Sequence, residues 1–250
     1  MSPPAPAWQA PAPSVAETLA RLRARSESFR TVRAVLDLAW KEDADSTSEE
    51  CRASLSWVRP DSLRLRGTTA AFFTVFDLAA DARHVRLDVP REHVAVFGER
   101  NDPAWEALPL SAEELLVALL ADPCAEGGCG DSVRWIDEPG RILGGPGWTL
   151  ELDPSSGYPR RWTRANARAP EIFWSDWVVR DGIAWPLQVS LRDAARGERV
   201  EVHLGRVDLD RPIPADRFSL SIDSDREILT PAEAQTRWER QQGRGVFHPK

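Results

Sequence analysis

The residues most able to do chemistry are few and dispersed. Cys124 and Cys129 lie within Asp122-Pro-Cys-Ala-Glu-Gly-Gly-Cys-Gly130, a loop short enough for its ends to meet. A zinc site needs further Cys or His at ligand spacing, and none lies nearby. The spacing favours a local disulfide over two free thiols, and a disulfide points to an oxidising compartment. Closing so short a loop removes little unfolded-state entropy, so the bond would shape the loop more than hold the fold. Cys51 begins a predicted strand and reads as a structural thiol. His84, His93, His203 and His248 are scattered. His84 and His93 fall on adjacent predicted strands, but two ligands without a third make no metal site. Ordinary hydrogen bonds satisfy such histidines. The carboxylate pairs Glu113/Glu114 and Glu49/Glu50 lack apolar surroundings that would raise a pKa. There is no Gly-x-Ser-x-Gly elbow, phosphate loop or dinucleotide-binding Gly-x-Gly-x-x-Gly, and Gly144-Gly-Pro-Gly147 reads as a turn. The pattern predicts no catalysis, no metal and no cofactor.

Indole is what the chain has in excess. Eleven tryptophans accompany a single tyrosine, and Trp40, Trp57, Trp135, Trp148, Trp162, Trp174, Trp177 and Trp185 all fall on predicted strands. Singly, each is explained by core packing. Together they supply a large apolar surface, at roughly 1.5–3 kcal/mol per buried large side chain. A sheet that curves without closing leaves part of such a surface bare unless helices or a ligand cover it. An apolar hollow roofed by helices suits a lipid or acyl chain.

The elements that must position these residues are legible in the periodicity. Ser14 can cap a helix from Val15 to Phe29, with Ala16, Leu19, Leu22 and Phe29 near one face. From Thr31 the period becomes two. Strands are predicted over Thr31–Trp40, Arg52–Val58, Ser62–Gly67, Phe72–Leu78, Arg83–Val89 and His93–Phe97. Ser111-Ala-Glu-Glu114 is a capping box ahead of Leu115, Leu116, Leu119 and Leu120, so a short helix should end at Asp122-Pro123. Further strands are predicted over Val133–Asp137, Trp148–Asp153, Tyr158–Ala165, Ile172–Arg180, Ile183–Asp193, Glu198–Asp208 and Phe218–Ile222, with Asp181-Gly182 as a hairpin turn. Pro231 to about Gln242 reads as a last exposed helix. The fold class is α+β, mainly antiparallel β: one strongly curved open half-barrel of about 11–13 strands, with helices covering its concave side. Residues 1–14 form a Pro/Ala-rich tether, 15–225 the half-barrel domain, and 226–250 a C-terminal extension, partly helical or disordered. The tether reads equally as the link to a membrane anchor whose leader was removed and as a ragged terminus. The net charge of -7 argues against nucleic acid, and no apolar run is long enough to span a bilayer.

Several stretches, in order, resemble the periplasmic lipoprotein-carrier family of the Lol type and its membrane-attached acceptor relatives. They are Leu19-Ala-Arg-Leu-Arg-Ala-Arg-Ser-Glu-Ser-Phe-Arg-Thr-Val-Arg-Ala-Val-Leu36, then Leu55-Ser-Trp-Val-Arg-Pro-Asp-Ser-Leu-Arg-Leu-Arg66, then Leu78–Val89, and finally Asp208-Leu-Asp-Arg-Pro-Ile-Pro-Ala-Asp-Arg-Phe-Ser-Leu220, similar to the family's terminal strand. The likeness runs from about residue 16 to 222. It implies an incomplete barrel with a helical lid, whose apolar cavity holds the acyl chains of a lipid-modified N-terminus. It also implies that the arginine of the Arg-Pro turn, here Arg59, helps latch the lid; on its own the residue reads as a surface arginine at a strand end. The 41–50 turn and the Cys124–Cys129 loop match no family feature, and the Pro-rich tether suits an anchored acceptor better than a diffusing carrier.

The expectation is therefore a lipid-binding, chaperone-like protein of lipoprotein transport. It would be periplasmic, with or without an outer-membrane lipid anchor outside this chain. Its partners would be acyl chains and a lipoprotein or envelope protein. The alternative is an envelope sensor or scaffold of the same fold that binds a protein. Cavity-wall candidates are Leu36, Leu38, Trp40, Leu55, Trp57, Leu63, Leu65, Val85, Leu87, Trp148, Leu150, Trp185 and Leu187; lid candidates are Leu19, Leu22, Leu115, Leu116, Leu119 and Leu120. A one-residue slip in register would exchange the two faces of any strand.

Overall fold

Ser14 starts the first helix as its position predicts. Its hydroxyl accepts the Glu17 amide (3.2 Å), and the Glu17 carboxylate accepts the Ser14 amide (2.8 Å). This helix, α1 (Val15–Glu27), stops two residues before the expected Phe29, where the Ser28 hydroxyl donates to Arg25 O (2.6 Å). Its buried face is Thr18, Leu19, Leu22 and Ser26, whereas Ala16, expected on that face, is exposed. The protein is described here from a computed structural model, which covers residues 13–41, 48–107, 112–123, 132–137, 141–165, 170–193 and 197–242. The Cys124–Cys129 loop, Ser111 of the capping box, and most of the tether and of the 41–50 turn lie outside the described residues.

Fourteen strands are described: β1 (Thr31–Lys41), β2 (Glu49–Val58), β3 (Ser62–Thr68), β4 (Thr74–Ala80), β5 (His84–Val89), β6 (Val94–Glu99), β7 (Arg134–Trp135), β8 (Ile142–Gly145), β9 (Trp148–Leu152), β10 (Pro159–Arg164), β11 (Glu171–Arg180), β12 (Ile183–Asp193), β13 (Glu198–Leu209) and β14 (Glu227–Leu229). They form one sheet in the order β14-β6-β5-β4-β3-β2-β1-β13-β12-β11-β10-β9-β8-β7. Its ends do not meet, so the sheet is open. Every pairing is antiparallel except that of β14 with β6. Two more α-helices are described, α2 (Ala112–Leu120) and α3 (Pro231–Gln242).

Register explains how one face stays apolar across the sheet, because directly paired residues point to the same side. Leu63 pairs with Trp57, Trp57 with Val32, Leu38 with Val202, Val202 with Val189, Val189 with Trp174, Ile172 with Trp162 and Trp162 with Leu150. β13 would fall out of phase but for a bulge: Val35 pairs with Arg206 and Leu36 with Leu204, skipping Gly205. The extra residue keeps Val207 and Leu204 both facing inward.

Three expectations need correction. The sheet has fourteen described strands, not eleven to thirteen. β8 was hidden in what reads as a turn, because glycines carry no side-chain alternation. Gly144 and Gly145 are ladder residues, kept free of a Cβ by Ile136 and by the Trp148 indole, and only Pro146-Gly147 turns. Phe218–Ile222 is not a strand: Ala215–Phe218 is a 3-10 turn, and the carbonyls of Arg217 and Ser219 accept from the Arg64 side chain (2.9 Å each) instead of from a ladder. Phe218, Leu220 and Ile222 alternate in burial without pairing. The sheet ends instead with β14, inside the stretch read as the C-terminal extension.

Candidate functional site

Buried residues of α1 and α2 share one apolar cluster with this face of the sheet, and the polar groups that tie the two helices down come from the sequence's ordinary-looking arginines. α2 closes with Ala121 in the left-handed region (φ 48°), where the Asp122 amide returns to Val117 O (3.3 Å) and that of Ala121 to Ala118 O (3.4 Å). The last carbonyls of a helix have no partner within it. Arg25, near the end of α1, supplies one. Its Nη1 donates to Leu120 O and Ala121 O and its Nη2 to Leu120 O, all at 3.0 Å, while Nε donates to Ala184 O of β12 (2.8 Å). The guanidinium also lies 5.4 Å from the ring centres of both Trp177 and Trp185. Burial pulls its pKa down to about 10, against the opposing pull of the Asp122 and Tyr158 charges. One side chain thus joins both helices and the sheet.

Arg59 does for α1 what Arg25 does for α2. From the turn between β2 and β3, its Nη2 donates to Ser26 O (2.7 Å) and Ser26 Oγ (3.1 Å) at the helix's C-terminal end. A cation there is favoured by the helix dipole as well. The Ser26 hydroxyl donates in turn to the buried Asp122 carboxylate just beyond α2, and Asp122 Oδ2 is 3.9 Å from Arg59 Nη2. Arg59 therefore contacts the helices rather than standing as a free surface arginine. α2 is further anchored from the sheet by Trp174 Nε1, which donates to Ala118 O (2.8 Å), and by Arg164 Nη1, which donates to the Glu114 carboxylate (3.2 Å). Arg25, Ser26 and Asp122 were not picked out as site residues from the sequence, and Trp174 was picked out only as one of the strand tryptophans. Only Asp122-Pro123 after an apolar run hinted at one of them.

The thirteen wall candidates fall mostly together. Leu36, Leu55, Leu63, Leu150 and Trp185 are at most 1% exposed, and Leu38, Trp57, Leu65, Val85 and Trp148 at most 9%; all belong to one apolar cluster. Trp40 and Leu87 are half-buried against it. Leu187 is half-buried outside it. The β11–β12 ladder runs from Ser175–Gln188 to Trp177–Pro186 and omits Asp176 and Leu187, and Asp176 is left-handed (φ 54°). That break lets both Trp174 and Trp177 reach the cluster. The lid candidates Leu19, Leu22, Leu116, Leu119 and Leu120 are buried in the same cluster, with Leu115 half-buried against it. Phe29, just past α1, stands edge-on between Trp57 (5.8 Å between ring centres) and Trp185 (5.4 Å). Two surface grooves lie elsewhere, one of about 950 Å³ among Arg64, Asp77, Asp88 and Arg226, the other of about 820 Å³ between β14 and α3. Neither is lined by a wall candidate.

Other chemistry-capable groups have local duties. His84 stacks on Phe97 (5.3 Å), His93 Nδ1 lies 3.3 Å from Asp225, and His203 meets Gln188 (3.2 Å). Cys51 is buried, and burial pushes its thiol up to about 11, keeping it protonated and unreactive. No group of three metal-ligating side chains occurs among the described residues, and no described helix is long and apolar enough to cross a membrane.

No family model matches the sequence, and no curated protein matches it. Solved structures do match its shape. A DUF1329 family protein from Desulfovibrio piger aligns over 82% of this chain and 95% of its own, with a TM-score of 0.59 at 10% identity. A LolA superfamily protein from Nitrosomonas europaea aligns over 84% and 99%, with a TM-score of 0.56 at 11% identity. The fold is of the Lol type. A Vibrio parahaemolyticus domain described as an outer membrane lipoprotein-sorting protein agrees, at 82% and 95% coverage, TM-score 0.53 and 12% identity. Identities this low make the likeness one of fold. Within the Lol-type fold of this chain, Arg59 is the residue that the Arg-Pro motif singled out.

Proposed function

We propose that the chain binds acyl chains of a lipid or lipid-modified protein on its tryptophan-rich face, beneath α1 and α2, and takes part in lipoprotein handling on the periplasmic side of an outer membrane. The observation that carries this reading is the way the cover is attached. Apolar residues of both helices join the sheet's cluster, and most of the directional bonds gather at the helices' C-terminal ends through Arg25, Arg59 and Trp174, with Arg164–Glu114 nearer the start of α2. The two solved neighbours named for LolA and for lipoprotein sorting support the same reading.

The magnitudes suit reversible binding. Phe29 fills the space between Trp57 and Trp185, so a ligand enters by displacing α1 and its trailing Phe29. Displacement of α1 breaks the seven hydrogen bonds made by Arg25, Arg59 and Ser26, at about 1 kcal/mol net each, since the freed groups can take water. An acyl chain gains about 0.8 kcal/mol per buried methylene, so ten of them offset that opening with a small surplus. Leu36, Leu38, Leu55, Leu63, Leu150 and their neighbours in the cluster would form the wall. The proposed activity is binding and transfer without covalent chemistry.

Native mass spectrometry of gently purified protein tests this directly. The expected result is a population carrying acyl-sized mass, lost in Leu38→Glu, which puts a charge on the wall while the β-rich circular dichroism stays unchanged. Ligand-free wild-type protein that also fails to take up a fluorescent fatty-acyl probe would overturn the reading. Capture of a specific protein by that same ligand-free domain would instead favour the sensor or scaffold.

A further inference from the structure

Eight of the described tryptophans divide into two groups by what their ring N–H does. Trp105, Trp135, Trp174, Trp177 and Trp238 each donate to a defined acceptor: Glu99 O, Pro13 O, Ala118 O, Pro159 O and the Glu92 carboxylate, at 2.7–3.2 Å. Trp57, Trp162 and Trp185 do not. They are 3%, 5% and 0% exposed, and their Nε1 atoms are shut off from solvent with no acceptor among the described residues. The Thr18 hydroxyl, on the buried side of α1, is in the same condition.

These orphaned groups share one location. Register puts Trp57, Trp162 and Trp185 on the apolar face, with Trp57 opposite Val32, Trp162 opposite Ile172, and Trp185 on the side of Val189 in β12. Trp57 and Trp185 flank Phe29 at the end of α1, and all three indoles belong to the cluster that α1 and α2 cover. A buried donor without an acceptor is costly, and folded proteins leave few of them. An indole N–H can only donate. A face that needed only to hold hydrocarbon would be served by Phe or Leu at these positions.

We infer that the ligand of this face carries hydrogen-bond acceptors at the head of its chains, the carbonyl oxygens of fatty esters or amides, and that the indole N–H groups of Trp57, Trp162 and Trp185 receive them. The inference rests on the acyl-binding reading above and narrows it. Acyl esters and amides are ligands of this face, and plain alkyl chains of the same length are poor ones. The selection operates on the carbonyl rather than on the headgroup beyond it.

Two probes of matched hydrocarbon length separate these cases: dihexanoyl phosphatidylcholine and its dihexyl ether analogue, titrated calorimetrically into the full chain below their micelle concentrations. One retained hydrogen bond corresponds to about tenfold in affinity, so the ester is expected to bind the wild type at least about tenfold more tightly than the ether. In Trp185→Phe and Trp57→Phe the ester should fall toward the ether. Because ring truncation also loosens packing, the readout is the ester-to-ether ratio: a packing loss weakens both probes alike, whereas loss of the donor weakens only the ester. Equal affinity of the two probes for the wild type would overturn the inference while leaving acyl binding intact, and would assign the three donors to ordered water. A ratio unchanged in both variants would overturn it as well. Binding of neither probe would overturn the acyl-binding reading itself and this inference with it.

Discussion

The segments packed against the two faces of the sheet are tied down by arginines in different surroundings. On the face opposite the tryptophans, Asp77 and Asp88 stand directly across from each other on β4 and β5, only 4% and 7% exposed. Two like charges so placed repel unless each is neutralised. Arg64 takes Asp77 through two bonds, Nε–Oδ1 at 2.9 Å and Nη2–Oδ2 at 2.7 Å, and spends its remaining donors on the carbonyls of Arg217 and Ser219. The Asp77 bond in turn raises the Arg64 pKa. Arg226 donates to Asp88 at 3.0 Å. Residues 211–226 are thereby fastened by cations whose loss would strand buried carboxylates. The helices on the tryptophan side are fastened by cations too, to backbone carbonyls at helix ends and to two buried carboxylates, Glu114 by Arg164 (3.2 Å) and Asp122 by Arg59 (3.9 Å). Freed carbonyls rehydrate; stranded carboxylates do not. The same residue type ties both regions down through carbonyls and carboxylates together, with more of the carbonyl bonds at the helix ends.

Arg64→Ala should therefore have the largest effect on stability. It strands Asp77 with only the more distant Arg66 (3.7 Å), and about 3 kcal/mol should be lost in urea denaturation. Adding Asp77→Ala should restore part of that loss, the sign of a stranded charge rather than of lost packing. Acyl uptake per folded molecule should not change. A fall in uptake matching the fall in stability would erase the distinction between the two covers.

Arg25→Ala should lower stability less, by about 2 kcal/mol, but should change the helix-covered face far more. Amide exchange should accelerate through α1 and α2 together, and uptake of an apolar dye should rise, because one side chain bonds to both helices and to β12. Arg59→Ala, about a third exposed, hydrogen-bonded to α1 and only 3.9 Å from Asp122 beyond α2, should cost about 1 kcal/mol and speed exchange mainly in α1. Equal exchange rates in α1 and α2 after Arg25→Ala, both as slow as in the wild type, would show that the arginine does not couple them.

Much of this was legible before any coordinates. Alternation over 31–40, 52–58 and 183–193 marked long central strands, because one face of each is buried and the other wet. Ser14 marked the start of α1, and the Arg-Pro turn marked Arg59. What failed did so for identifiable reasons. Gly144 and Gly145 lack the side chains that signal a strand, and Phe218, Leu220 and Ile222 keep the period of a strand while Arg64 takes the carbonyls around them. Leu187 has the right parity, but the ladder lapses beside it at Asp176. Arg25 was invisible because arginine abounds in this chain and its acceptors are backbone atoms about ninety-five and one hundred and sixty residues away. Polar contacts between distant segments leave no local period.

The smallest effect is expected at a turn lying apart from both fastenings. The Asp153 carboxylate, just after β9, accepts from the Ser155 and Ser156 hydroxyls and from both their amides, at 3.0 and 2.9 Å for the amides. These bonds, led by the Ser155 hydroxyl, hold its pKa down at about 2 despite some opposing burial. A carboxyl whose folded pKa lies below its unfolded value near 4 adds stability at all higher pH. The contribution fades as pH falls from about 4 through about 2. Because the group is largely solvent-exposed, screening should leave only about 0.5 kcal/mol of it. Asp153→Asn should thus flatten the acid limb of stability between those two values and change nothing at pH 7 in acyl uptake or in the exchange of α2. A steeper acid limb in the variant would mean that the carboxylate is better stabilised in the unfolded chain than in the turn, reversing the sign assigned to these four hydrogen bonds.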